Sequence, residues 1–329
     1  MSRLLTAALA ALSLGGLAVA QDTSDTPAPR LPAPAIDDVL HLEYQSVPVL
    51  GSTMTYLEMG EGDPVLFIHG NPTSAYLWRN ILPIVGEDRR VIAVDLIGMG
   101  QSGKPDLDYS FTDHALYLAA FVEALGLEEF TVVGHDWGAA LAWDYTLRHP
   151  DRVTGIAFME GVLPPTFPQP SFDAMGPEMG GMFRMFKDPV LGEQNVIGQN
   201  MFVEQVLPML INRPLSETAM EAYRAPFLQE EDRWPTLAWP REVPIAGTPA
   251  TTVDRLNDIA VYMGEIDKPV LLLYADPGVI VPRQAVDWYV ETIPGLETGF
   301  VGQGLHFIQE DQPVAIGRAI QDWLRRTEG

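Results

Sequence analysis

The chain has no cysteine among its 329 residues and only 6 histidines. The absence of thiols excludes disulfides and metal sites with cysteine ligands. The histidines also lack the His-x-x-x-His spacing with which a helix binds zinc. We therefore expect neither a metal nor another cofactor.

Basic residues are also few, since 20 Lys and Arg stand against 44 Asp and Glu and leave a net charge of −24. Nucleic acids and anionic membrane surfaces would repel such a chain. After residue 20, no run of apolar residues is long enough to span a bilayer. We therefore expect no nucleic acid as a partner and no stable association of the mature chain with a membrane.

The first twenty residues differ from the rest of the chain. They carry one charged residue, Arg3, followed by a Leu- and Ala-rich run that ends in the small residues Ala18-Val-Ala20. This pattern predicts a secretory signal peptide over residues 1–20, and hence export to a periplasm or to the medium. The alternative is a retained membrane anchor, but the apolar run is short and a Pro-rich linker follows at 21–37.

From residue 38 onward, apolar strands alternate with helical segments, which predicts a mostly parallel central sheet flanked by helices. The alternation stops where Pro, Met and Phe become frequent, and this change predicts an inserted helical cap over the carboxyl ends of the strands. The predicted domains are a core segment at 38–160, the cap at 161–240 and a second core segment at 241–329. We expect strands near 47–50, 54–59, 65–69, 91–95, 131–133, 153–159, 270–275 and 298–301, and helices near 113–125, 139–148, 194–210, 216–227 and 313–325.

The segment Thr131-Val-Val-Gly-His-Asp-Trp-Gly138 predicts a nucleophile elbow, in which a strand turns sharply into a helix. Gly134 and Gly138 would leave room for a strained residue at the apex, which is Asp136. A carboxylate is already an anion at neutral pH and suits attack on an sp³ carbon with a good leaving group. Attack on an ester would give a reactive anhydride, so the elbow disfavours an esterase or peptidase. The alternative is an Asp that only caps a surface helix.

A nucleophile in this kind of fold works with a histidine placed after the last strand. His306 has that position, in the segment Gly302-Gln-Gly-Leu-His-Phe-Ile-Gln-Glu310. The other five histidines are expected to be structural where they flank glycines, or to lie at the surface or at helix ends: His69 and His135 in the first group, His41, His114 and His149 in the second.

Two carboxylates compete for the role of orienting the imidazole. Glu160 follows the predicted strand 153–159, and Asp276 follows the predicted strand 270–275. Both strand ends face the same rim of a parallel sheet. Either carboxylate could therefore stabilise the protonated imidazole.

Taken together, the motifs resemble those of the haloalkane dehalogenases of the α/β-hydrolase superfamily. The resemblance extends from about residue 38 across the cap to the end of the chain. It rests on His69-Gly-Asn-Pro-Thr-Ser-Ala-Tyr-Leu-Trp-Arg-Asn80, Gly134-His-Asp-Trp-Gly138, Met159-Glu160, Pro244-Ile-Ala-Gly247, Pro277-Gly278 and Leu305-His-Phe-Ile-Gln-Glu-Asp311.

The resemblance implies an α/β-hydrolase fold and a hydrolytic dehalogenation without cofactor. Asp136 would displace halide to form an alkyl ester, and His306 would activate the water that hydrolyses this ester. Glu160 matches the acid position of one branch of the family, which ranks Asp276 second. The partners implied are a small apolar halogenated substrate, water and a halide ion.

A departing halide needs hydrogen-bond donors without nearby acceptors. The indole N–H of Trp137 adjoins the nucleophile, and the side-chain amide of Asn71 follows a strand end. Simple packing of Trp137 and an Asx turn at Asn71 are the alternatives. The superfamily pattern further implies that the backbone N–H groups of both residues form an oxyanion hole.

The Met- and Phe-rich part of the cap would either line a pocket for an apolar substrate or form loosely packed core. The residues expected in the pocket are Phe172, Phe183, Phe186, Phe202, Phe227, Val279 and Ile280.

An epoxide hydrolase is the main alternative, because it shares the fold, the Asp elbow and the His-Gly-x-Pro loop. It normally needs cap tyrosines, and the predicted cap contains one, Tyr223. A fluoroacetate dehalogenase would need cationic residues for a carboxylate, and residues 95–104 contain no arginine pair. A catalytically inactive binding protein on the same fold is disfavoured because Asp136, Glu160 and His306 are all retained.

Overall fold

A single eight-stranded sheet organises the computed structural model, which describes residues 36–327. The predicted signal peptide and nearly all of the predicted linker lie outside the described residues. The strand order is β1-β2-β4-β3-β5-β6-β7-β8, and β2 is antiparallel to both of its neighbours while the other pairs are parallel. The strands are β1 Tyr44–Val49, β2 Ser52–Met59, β3 Pro64–Ile68, β4 Arg90–Val94, β5 Phe130–His135, β6 Val153–Met159, β7 Val270–Pro277 and β8 Glu297–Gly304.

The central strands are apolar because helices cover both faces of a parallel sheet. Every residue of β5 is buried, as are the last four of β3. In the register of the sheet, Ile68 pairs with Gly134 and His135 pairs with Met159. The carboxyl ends of β3, β5 and β6 are therefore level, and the residues that follow them meet at one rim.

Eight helices of at least eight residues occur within residues 36–327. Trp137–Arg148 contacts both Phe111–Ala124 and Ala250–Met263, whereas Pro313–Thr327 packs on the short helix Leu82–Val85. The eight are α1 Phe111–Ala124, α2 Trp137–Arg148, α3 Gly176–Lys187, α4 Glu217–Arg224, α5 Trp234–Glu242, α6 Ala250–Met263, α7 Arg283–Thr292 and α8 Pro313–Thr327. Short turns of helix lie at Ala75–Trp78, Leu82–Val85, Asp173–Met175, Pro189–Gly192, Glu193–Ile197, Phe202–Val206, Leu207–Met209, Ala225–Phe227, Glu230–Arg233 and Ile308–Asp311.

The helix predicted over 194–210 is irregular in the structure. It consists of two π-helical turns, Glu193–Ile197 and Phe202–Val206, and one short α-helical turn, Leu207–Met209. Asn200 lies between the π turns with φ 50, a conformation that interrupts a right-handed helix. The sequence pattern also missed α6 and α7 in the second core segment. In the part of the chain that the structure covers, no helix combines the length and the hydropathy needed to cross a bilayer.

Candidate active site

The connection between β5 and α2 is a strained turn with Asp136 at its apex. Asp136 has φ 54 and ψ −125, which few residues other than glycine adopt. A Cβ on Gly134 would come within 2.5 Å of the Ala139 Cα, and one on Gly138 within 2.2 Å of the Ile68 carbonyl oxygen. The turn therefore requires both glycines, and its strain indicates a functional site.

The carboxylate of Asp136 is held at both oxygens. Oδ1 accepts the backbone N–H of Asn71 at 2.8 Å, and Oδ2 lies 3.3 Å from Nε2 of His306. A Cβ on Gly70 would come within 2.0 Å of Oδ1, so only glycine permits this approach. Burial raises the pKa of Asp136, but His306 and the backbone N–H of Trp137 outweigh it and hold the pKa below its usual value. This carboxylate is thus ionised at neutral pH.

His306 lies between two carboxylates, as the base of a triad does. Its Nδ1 donates to Oε2 of Glu160 at 3.2 Å, while Nε2 faces Asp136. Burial lowers the pKa of His306, but the hydrogen bonds and charges of both carboxylates raise it to about 9. The substrate-free site therefore holds an imidazolium at neutral pH.

Glu160 is fully buried and is itself firmly oriented. Its carboxylate accepts the backbone N–H groups of Val279, Ile280 and Val281 at distances from 2.8 to 3.2 Å. The strand end of β6 is strained as well, since Glu160 has φ 43. Backbone amides thus replace water around this carboxylate and fix its position beside the imidazole.

The competing carboxylate, Asp276, lies elsewhere. It is exposed at the end of β7 and accepts a hydrogen bond from Nε2 of Gln303 at 3.0 Å. The contacts described for His306 include Glu160 and Asp136 but not Asp276. Of the two carboxylates that the sequence left open, the geometry brings Glu160 to the imidazole.

Among the remaining histidines, the burial of His114 was not expected. His69 is buried, accepts the backbone N–H of Leu96 and donates to the Gly70 carbonyl, which fits a structural role. His114, expected at the surface or at a helix end, lies in the first turn of α1 but is fully buried, and its ring stacks on that of Trp239 with centroids 4.0 Å apart. The ring it contacts lies 125 positions further along the chain, so no local pattern could reveal this burial.

Asn71 and Trp137 both adjoin Asp136. The Nδ2 of Asn71 donates to the Thr236 carbonyl at 3.2 Å, which leaves its second amide hydrogen for another acceptor. The indole of Trp137 packs between Phe111 and Trp239, with ring centroids 5.9 and 4.8 Å away. Both side chains line the same cavity as Asp136. The two expected halide donors are therefore oriented beside one carboxylate.

The cavity above Asp136 has a volume of about 100 Å³ and is lined mostly by apolar side chains. Five of the seven predicted pocket residues line it, namely Phe183, Phe186, Phe202, Val279 and Ile280. The other two do not. Phe172 packs under the guanidinium of Arg184, and Phe227 is buried in the main core. Lining residues that the sequence did not single out are Val162, Phe167, Met179, Met182, Val206, Leu210, Pro240, Val243 and Phe307.

The cap tyrosine that an epoxide hydrolase would use is engaged elsewhere. Tyr223 is buried, and its hydroxyl donates to the carboxylate of Glu310. Among the residues that the structure describes, no tyrosine lines the cavity. Protonation of an epoxide oxygen by a phenol therefore has no support here.

Comparison with known proteins agrees with the geometry. Residues 63–313 match the family model of the alpha/beta hydrolase fold. A haloalkane dehalogenase of Sphingobium indicum is 46% identical over 86% of this chain and 96% of its own length, and one of Mesorhizobium japonicum is 44% identical over 84% and 90%. The crystal structure of a haloalkane dehalogenase from Bradyrhizobium elkani superposes with a TM-score of 0.83 at 42% identity, covering 87% of this chain and 99% of that one. The chain belongs to the haloalkane dehalogenases, enzymes of the α/β-hydrolase fold that hydrolyse carbon–halogen bonds.

Proposed function

We propose that this enzyme converts haloalkanes to alcohol and halide through a covalent alkyl ester on Asp136. One observation carries the proposal: an ionised, buried carboxylate faces a small apolar cavity, with two amide or indole donors on one side and an imidazole on the other. This arrangement suits displacement at an sp³ carbon followed by hydrolysis of the ester.

In the first step, Oδ2 of Asp136 attacks the carbon that bears the halogen. A carbon–oxygen bond forms as the carbon–halogen bond breaks, and the halide leaves with the bonding electron pair. Oδ1 remains bound to the backbone N–H of Asn71. The side-chain N–H groups of Asn71 and Trp137 would stabilise the charge that moves onto the halogen, because they donate more strongly as that charge grows.

In the second step, Nε2 of His306 removes a proton from water, and the hydroxide adds to Cγ of Asp136. The backbone N–H groups of Asn71 and Trp137 would bind the resulting oxyanion, since they already face the carboxylate. Collapse of the tetrahedral intermediate breaks the ester bond. The imidazolium then protonates the departing alkoxide, and the alcohol leaves. The carboxylic acid formed on Asp136 passes its proton to the neutral His306, which restores the carboxylate and the imidazolium of the free enzyme.

Formation of the ester would itself prepare the base. In the free enzyme two carboxylates raise the pKa of His306 to about 9. Esterification removes the charge of Asp136, so one of the two causes of the raised pKa is lost and the imidazole releases its proton more readily. Glu160 stays ionised beside Nδ1 and stabilises the imidazolium that forms again when water is deprotonated.

The substrates that fit are small and apolar. The cavity of about 100 Å³ is bounded by phenylalanine, methionine and valine side chains, and polar atoms concentrate at the nucleophile. The proposal is tested by assaying halide release from 1-bromobutane and 1,2-dibromoethane beside ring opening of styrene oxide. We expect halide release and no significant epoxide opening. Activity on the epoxide alone would refute the proposal, and inactivity on all three would favour a catalytically inactive binding protein.

We also propose that the protein is exported. The support is the sequence of residues 1–20, with a single charge, an apolar run and small residues before position 21. The mass of the mature protein should correspond to a chain that begins at Gln21. An unprocessed N-terminus in the soluble cell fraction would contradict export.

A further inference from the structure

The loop that carries His306 is fastened to the cap through its backbone. We call residues 305–311 the base loop. The backbone N–H groups of His306 and Phe307 both donate to the carbonyl of Leu210, at 3.1 and 3.2 Å. The side chain of Leu210 lines the cavity above Asp136. A single cap residue thus contacts both the substrate space and the backbone of the base.

Two carboxylates at the end of the base loop extend this attachment. Asp311 accepts the backbone N–H groups of Asn212 and Arg213 from the cap, at 3.0 and 3.1 Å, and that of Leu305 at 3.3 Å. The side chain therefore joins the two ends of the base loop to the cap residues that follow Leu210.

Glu310 makes the most extensive contact and is fully buried. Its carboxylate accepts hydrogen bonds from both Nη groups of Arg79, at 2.6 and 2.9 Å, from Nη2 of Arg213 and from the hydroxyl of Tyr223. Arg79 follows the Asn71 loop, while Arg213 and Tyr223 belong to the cap. A buried carboxylate with two arginine partners and a phenol is held rigidly, because any displacement would leave charges unpaired out of water.

These contacts position His306, whose hydrogen bonds tolerate little displacement of the ring. His306 reaches its two carboxylates at 3.2 and 3.3 Å, near the upper limit of a hydrogen bond. The hydrogen bonds described for Leu210, Arg213 and Tyr223 do not involve Asp136, Asn71 or Trp137. Loss of these particular contacts would consequently displace the base loop, whereas Asn71 and Trp137 are held by other residues, Thr236 and Trp239.

We propose that Glu310 is a positioning residue for His306, and that Arg213 and Tyr223 make the cap a structural support of the base as well as a cover for the pocket. The inference rests on the proposed alkyl-ester mechanism. It assigns to these contacts a selective effect on ester hydrolysis, because displacement of halide needs no imidazole.

The test uses Tyr223→Phe, which removes one hydrogen bond, and Arg213→Met, which leaves Arg79 to balance Glu310. In single-turnover experiments with 1-bromobutane, bromide release reports displacement, and loss of the alkylated enzyme in the mass spectrum reports hydrolysis. For Arg213→Met we expect displacement to change little and hydrolysis to slow by roughly 10- to 100-fold, since a misplacement of about 1 Å costs on that order. Tyr223→Phe should also slow hydrolysis and not displacement, but by a smaller factor. Arg213→Lys should retain part of the hydrolysis rate that Arg213→Met loses. Glu310→Gln should have the strongest effect if it folds.

Arg255→Met is the matched control. Arg255 shares the buried carboxylate of Asp144 with Arg148, and its side chain is 19% exposed against 24% for Arg213. It connects α6 to α2 and does not contact the base loop. We expect it to alter stability without changing the ratio of the two rates.

Equal losses of displacement and hydrolysis in Arg213→Met, or no loss in either, would overturn the inference. His306→Phe, measured in parallel, keeps the two proposals distinct. Trapping of an alkyl group by His306→Phe shows that the mechanism stands whatever the Arg213 and Tyr223 variants do, whereas failure to trap it would remove the mechanism on which the inference rests.

Discussion

The nucleophile end and the base end of the site differ in how their parts are brought together. Asp136 and Trp137 follow β5, and Asn71 follows β3, the strand that pairs with β5 directly. His306 and Glu160 lie 146 positions apart and follow different strands, and the backbone of His306 is bonded to the carbonyl of Leu210 in the predicted cap. The carboxylate and the backbone donors proposed for the first half of the reaction are thus placed by two adjacent strands, while the base proposed for the second half also depends on contacts between distant segments.

The strongest test of the base end neutralises each of the two competing carboxylates in turn. Glu160→Gln removes the negative charge that stabilises the imidazolium, and loss of the equivalent charge in a serine protease triad costs about 10⁴-fold in rate. We expect a loss that approaches this size in ester hydrolysis and almost none in displacement. Asp276→Asn is the matched control and should change neither rate, because Asp276 is exposed and contacts Gln303. A larger effect in Asp276→Asn than in Glu160→Gln would show that the acid has been misassigned.

The nucleophile end should respond in the opposite way. Asn71→Ala and Trp137→Phe each remove a proposed donor to the halide, and removal of one oxyanion donor costs roughly 10²-fold or more. Displacement should slow by about that amount, while hydrolysis of the ester should be nearly unchanged because the backbone N–H groups remain. Rapid-quench measurement of bromide release checks the first rate. Quenching of tryptophan fluorescence by halide should also weaken in Asn71→Ala. Full dehalogenation by the double variant would exclude both side chains from the site.

The rates of displacement and of hydrolysis should also depend differently on pH, and neither should change by more than about tenfold per pH unit. Displacement needs ionised Asp136, whose pKa is held below its usual value, so its rate should be flat from about pH 6 to 8. Hydrolysis needs neutral His306 and should rise with pH to a plateau, with an apparent pKa below the value of about 9 in the free enzyme. Single-turnover rates across this range measure both steps. A displacement rate that rises in parallel with hydrolysis would contradict the separation.

The same contrast explains how far the sequence alone could lead. The β-branched run before Asp136, the two glycines and the alanines of α2 are local signals, and they predicted the elbow directly. His306 and Glu160 could be proposed because each follows a strand, although the choice between Glu160 and Asp276 needed a resemblance to known proteins. Strand positions at the rim of a parallel sheet thus carry much of the information about the site.

What the sequence could not supply depends on contacts between distant segments. Phe172 and Phe227 have the composition of pocket residues, but the fold directs one toward Arg184 and the other into the core. The buried partners of Glu310 come from positions 79, 213 and 223, and no local pattern relates them. The pattern over 194–210 predicted helix correctly but did not reveal the interruption at Asn200, which has a left-handed conformation.

The most direct test of the whole account is the fate of bromide in a His306→Phe variant. Displacement requires only the carboxylate, the halide donors and the apolar cavity, while hydrolysis requires the imidazole. The variant, mixed with 1-bromobutane, should release about one equivalent of bromide per enzyme and then stop. Its mass should increase by one butyl group, and peptide mapping should place that group on Asp136. Continued turnover by the variant, or an alkyl group trapped on any other residue, would contradict the account.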